Sequence, residues 1–74
     1  MDTKRPNTNN EPYKKSVLEL LQLVKIGKFN LAENKAKKLI TKYPNAFLIY
    51  SILGLCLINQ NQIKKGIDCY KIAI

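Results

Sequence analysis

Seventy-four residues with 46% hydrophobic content make one small domain at most, and one too apolar to be wholly disordered. The formal charge is +8, but twelve of the thirteen basic residues are lysines and Arg5 stands alone. Readers of phosphates and base edges favour the bidentate arginine fork, so a solvated lysine surface is expected rather than specific nucleic-acid binding.

Residues 1–11 read as a disordered polar tail, since nothing there offsets the entropy of ordering it. Asn10 is the candidate N-cap of the first helix, and Pro12 is tolerated in its first turn. From there Val17, Leu20, Leu21 and Val24 recur at helical spacing, with Leu18 and Leu23 widening the stripe. Gly27 predicts the stop, with Lys25 and Lys28 at the negative end of the helix dipole.

Asn30 is the next candidate N-cap, followed by a second apolar stripe of Ala32, Ala36, Leu39 and Ile40. Lys35, Lys37, Lys38 and Lys42 take the other faces of that helix. Pro44 ends it, because it disfavours helical geometry at Tyr43 and cannot donate a hydrogen bond. Asn45 is expected to cap a third helix over 46–59, and the cluster Asn59-Gln60-Asn61-Gln62 makes the next turn. A fourth helix carries Ile63, Ile67, Tyr70 and Ile74 on one stripe. The expectation is four helices in two hairpins, with no strand.

The apolar run from Ala46 to Ile58 reaches roughly 20 Å at helical rise, short of a bilayer core, and the N-terminus lacks a secretory apolar region. Cys56 and Cys69 lie inside apolar helical pattern with no histidine present, so they read as reduced, packed thiols rather than zinc ligands. A cytoplasmic location follows from that reading. No catalytic constellation is visible. The acids Asp2, Glu11, Glu19, Glu33 and Asp68 are scattered, Ser16 and Ser51 lack base partners, and the glycines form no phosphate loop. No catalytic residue, metal ligand or cofactor is therefore expected.

The two hairpins match at an offset of 34 residues: Leu18 with Ile52, Leu21 with Leu55, Leu23 with Leu57, Val24 with Ile58, Phe29 with Ile63, Ala32 with Gly66, and Ile40 with Ile74. That period resembles the tetratricopeptide repeat. Tyr50, Leu53-Gly54, Leu57, Gly66, Tyr70 and Ala73 stand where that family places Trp, Leu-Gly, Tyr, Ala, an aromatic and Ala. Gly27, Phe29, Ala32 and Pro44 match its turn glycine, aromatic, small residue and closing proline. The first unit is degenerate, with Glu19-Leu20 for Leu-Gly and Ala36 for the large aromatic, as terminal repeats often are.

The resemblance implies an all-α chain, with two antiparallel helix-turn-helix hairpins (12–44 and 45–74) stacked as the start of a right-handed α-solenoid. It implies a non-catalytic protein-interaction module whose concave face carries Lys14, Val17, Leu21, Val24, Lys25, Leu48, Ser51, Leu55, Ile58 and Asn59. Val17, Leu21 and Ile52 fall at the positions where carboxylate-clamp members use polar residues, so a chaperone-tail clamp is not expected. The expected partner is a protein or peptide, such as an amphipathic helix or the chain's own continuation. An enzyme's N-terminal appendage, before a glycosyltransferase or sulfotransferase domain for instance, is the alternative; a lysine-rich nucleic-acid binder comes third. The last unit stops short of its closing proline and has no polar capping helix, which reads as truncation, and the isolated chain is expected to self-associate.

Overall fold

In the computed structural model, residues 11–74 are described; the polar tail and the Asn10 cap lie outside them, save for Glu11. They form four helices, α1 (Glu11–Lys25), α2 (Phe29–Lys42), α3 (Phe47–Asn59) and α4 (Ile63–Ala73), with no strand among the described residues. The chain is all-α, two helical hairpins stacked on each other. Each helix packs against the next, α1 also reaches α3, and α4 touches α3 alone.

Both hairpins turn in the same way, and the turns recur at the 34-residue offset. Lys28 donates its amide to the Leu23 carbonyl at 2.8 Å and Gly27 donates to Val24 at 3.0 Å. Gln62 donates to Leu57 at 2.9 Å and Asn61 to Ile58 at 3.0 Å. This paired pattern satisfies the last helical carbonyls and requires a left-handed residue at its centre. Gly27 (φ 81°) and Asn61 (φ 67°) supply it.

A Cβ at Gly27 would meet no atom within 4 Å, so a substitution there pays only for backbone conformation. Gly27→Ala should lose about 1–2 kcal/mol, while Asn61→Gly should gain about 0.5–1 kcal/mol by removing the left-handed penalty. Urea titration of both variants checks this, with shifted midpoints of opposite sign and an unchanged slope.

Neither Asn30 nor Asn45 caps a helix. α2 begins at Phe29 after Lys28, α3 begins at Phe47 after Ala46, and neither start has a side-chain cap hydrogen bond. Phe29 and Ala46 are packed against the core, and apolar burial outweighs the roughly 1 kcal/mol that a cap contributes. The stop at Pro44 is as expected: α2 closes at Lys42, and Tyr43 takes a non-helical backbone (φ −128°, ψ 75°).

The core runs through both hairpins. Val17 and Leu20 of α1, Ala32, Ala36 and Leu39 of α2, and Ile49, Ile52, Leu53, Cys56 and Leu57 of α3 are buried. Leu18 is 63% exposed, so it does not extend the buried stripe of α1. At the hairpin base the Tyr13 and Tyr43 rings meet edge to face at 4.9 Å.

α3 and α4 cross at their glycines. A Cβ on Gly54 would sit 2.8 Å from the Gly66 carbonyl oxygen, and one on Gly66 would sit 2.8 Å from the Gly54 oxygen. Small residues at both positions let the two backbones touch. The equivalent positions in the first hairpin are Leu20 and Ala32, both buried, so only the second hairpin has glycine at both positions.

Candidate functional site

The concave residues suggested by the repeat pattern separate into three groups. Lys14, Leu21, Lys25, Leu48, Leu55 and Asn59 are exposed. Val24, Ser51 and Ile58 are half-buried. Val17 is only 8% exposed and belongs to the core, which corrects its place on a ligand-facing surface. The reason is adjacency: on one helix the concave and inter-helix positions are a fraction of a turn apart, and Val17 joins the buried core cluster. Asn59 turns its amide back to the Leu55 carbonyl at 2.9 Å.

α3 decides the character of this surface, because it is apolar on every side. Such a helix is ordinarily surrounded by protein. Here its core side is fully covered, with Ile49 and Cys56 at 0% exposure, while Leu48 and Leu55 remain 52% and 38% exposed. The inward side of α4 is made of small or half-buried residues, Gly66, Cys69, Tyr70 and Ala73. Its isoleucine stripe, Ile63 and Ile67, points outward and is exposed, as is Ile74 just past its end.

The two exposed stripes lie on one side of the α3–α4 hairpin. At 3.6 residues per turn, counted from the Gly54–Gly66 contact, Ser51, Leu55 and Ile58 turn toward the same side as Ile63, Ile67 and Ile74. Lys65 and Cys69 lie on the opposite edge of α4, counted from the same contact.

A buried polar network, absent from the sequence reading, joins the hairpins. Glu33 is 8% exposed; it accepts a 2.8 Å hydrogen bond from Gln60 Nε2 and pairs with Lys37 Nζ at 2.7 Å. Gln60 also donates to the Cys56 carbonyl one turn back in α3 at 3.2 Å, while its bond to Glu33 ties the end of α3 to α2. The Glu33–Lys37 spacing of one helical turn was a legible signal for the ion pair; the Gln60 partner was not. Lys35 pairs with Glu19 at 3.0 Å, so two α2 lysines are tied to carboxylates of this chain.

The bond from Lys37 holds the Glu33 carboxyl below its ordinary pKa of 4.5, outweighing the opposing effect of burial. A depressed folded pKa stabilises the fold above 4.5 and loses that contribution as pH falls through the folded value. Glu33→Gln should therefore flatten the acid limb of a stability–pH curve below about pH 4.5, where wild type declines. Melts from about pH 6 to 3 on both proteins check it.

Cys56 and Cys69 are both free. Burial first, then the charge of Glu33, pushes the Cys56 thiol up; burial first, then Asp68, does so for Cys69. Raised thiols are poor nucleophiles. A shallow depression lined by Tyr13, Tyr43, Pro44, Asn45 and Ala46 holds no carboxylate, thiol or imidazole. Among the described residues no three His, Cys, Asp or Glu side chains group to hold a metal, and no helix is long and apolar enough to cross a membrane. Compared with protein-family models, curated proteins and solved structures, the chain matches none.

Proposed function

We propose that this chain is a non-catalytic protein-interaction module of tetratricopeptide type, which seats a helical segment of a protein partner on α3 and α4. One observation carries the reading. α3 is apolar all round, and its uncovered side, with Leu48 and Leu55, continues into the exposed isoleucines of α4. Isolated exposed apolar residues are ordinary, but contiguous stripes on paired helices mark interaction sites.

The repeat assignment is supported by the turns at Gly27 and Asn61, which share hydrogen bonding and left-handed geometry at the 34-residue offset. The pairing of Lys35 and Lys37 with Glu19 and Glu33 weighs against phosphate binding along α2. A cytoplasmic setting belongs to the same reading and is supported by the two free thiols.

The test is titration with uncharged amphipathic peptides, glutamine-flanked with an apolar helical stripe, followed by amide chemical shifts. Saturable shifts should centre on Leu48, Leu55 and Ile67 and vanish in Leu55→Asp. Uniformly absent shifts, with the chain folded, would rule the module out.

A further inference from the structure

The first hairpin of this chain shows what its second hairpin lacks. α3 packs on both α1 and α2, where Val17 and Glu33 are each 8% exposed and Glu33 is bonded to Gln60 at the end of α3. The equivalents at the 34-residue offset are Ser51, half-buried, and Ile67, 45% exposed. A helix presented as α3 is to the first hairpin would cover the same positions of the second. The occupant is thus a helix with an apolar stripe.

Charge says which kind of helix. In the first hairpin Lys37 is neutralised by Glu33; in the second the equivalents are Lys71 and Ile67, so the acid is replaced by an apolar side chain. Lys64 and Lys71 border the isoleucine stripe on its solvent side, and among the described residues neither forms a salt bridge. α4 carries three lysines against Asp68 alone, a balance of 3 − 1 = +2. A second copy of this chain, paired face to face about a two-fold axis, would set Lys64 and Lys71 against their own counterparts.

We infer that the open side of α3 and α4 takes an acidic amphipathic helix from another protein, apolar toward Ile63 and Ile67 and carboxylate-bearing toward Lys64 and Lys71. This rests on the interaction reading above and adds the chemistry of the partner. Rim charges steer and select, while the isoleucines supply the bulk of the attraction.

The experiment uses the full chain and four labelled peptides sharing one apolar helical stripe: glutamate-flanked, glutamine-flanked, lysine-flanked, and a glutamate peptide of scrambled order. Fluorescence anisotropy at low and high salt reads the affinities, with circular dichroism melts confirming that each variant folds. The glutamate-flanked peptide should bind roughly 2- to 30-fold tighter than the glutamine-flanked one, with the advantage shrinking in salt. The double variant Lys64→Glu/Lys71→Glu should invert the order of the glutamate and lysine peptides. Ile67→Asp should weaken all three ordered peptides, and the scrambled peptide should bind more weakly than its ordered isomer.

Equal binding of the three ordered peptides, all lost in Ile67→Asp, would keep the interaction module and overturn the acidic partner. Scrambled and ordered glutamate peptides binding alike would mean net charge alone, which also overturns it. So would binding to anionic vesicles without peptide preference. A dimer of the chain that Ile67→Asp dissociates, with no peptide bound, would make a second copy the occupant. If no peptide binds and the chain stays monomeric, both readings fail.

Discussion

Gly54→Leu is expected to split α3 from α4 and to cost about 1–3 kcal/mol or more. Even one added carbon would stand 2.8 Å from the Gly66 carbonyl oxygen and 3.4 Å from Cys69 and Tyr70. The first of these neighbours is backbone, so rotating a side chain cannot relieve the clash. The helices must move apart, and α4, which packs on α3 alone, has no second contact to hold it. Lys38→Ala, on an exposed face of α2, should stay within about 0.5 kcal/mol. Urea denaturation compares the two; similar midpoints would mean that α4 does not cross α3 at the glycines.

Leu20→Ala is expected to cost about 2–5 kcal/mol, whereas Leu18→Ala two positions away should cost about 0.5 kcal/mol or less. Leu20 has 0% exposure at the junction of α1 with the shared core, and Leu18 is 63% exposed. Truncating the first leaves a void lined by fixed neighbours; truncating the second leaves nothing to fill. Thermal melts of both variants at matched concentration make the comparison. Equal losses would show that α1 presents a different side to α2 and α3.

The four helices and their order were legible in the sequence because each of their signals is local. Pro44 forbids continuation of α2 whatever the rest of the chain does. Gly27 permits the left-handed residue a hairpin turn needs, and Asn61, among the best non-glycine residues for that geometry, marks the second turn at the same offset. The expected N-caps at Asn30 and Asn45 failed for a non-local reason, since burial of Phe29 and Ala46 draws the helix starts to neighbouring positions.

Which apolar residue faces inward could not be read from periodicity. α3 is apolar on all sides, so its pattern names no buried face; contact with α1 and α2 selects Ile49 and Cys56 and leaves Leu48 and Leu55 open. In α4 the most regular stripe, Ile63 and Ile67 continued by Ile74 at its cap, is the exposed one. The glycine crossing brings the backbones so close that only small or flat side chains fit between them. The concave position of Val17 was lost to the core in the same way. The sequence by itself thus determined helix number and turn positions, because backbone conformation answers to neighbouring residues. Which faces are covered, the Glu33–Gln60 link and the open apolar side were decided only when distant helices met, because burial depends on what packs across the gap.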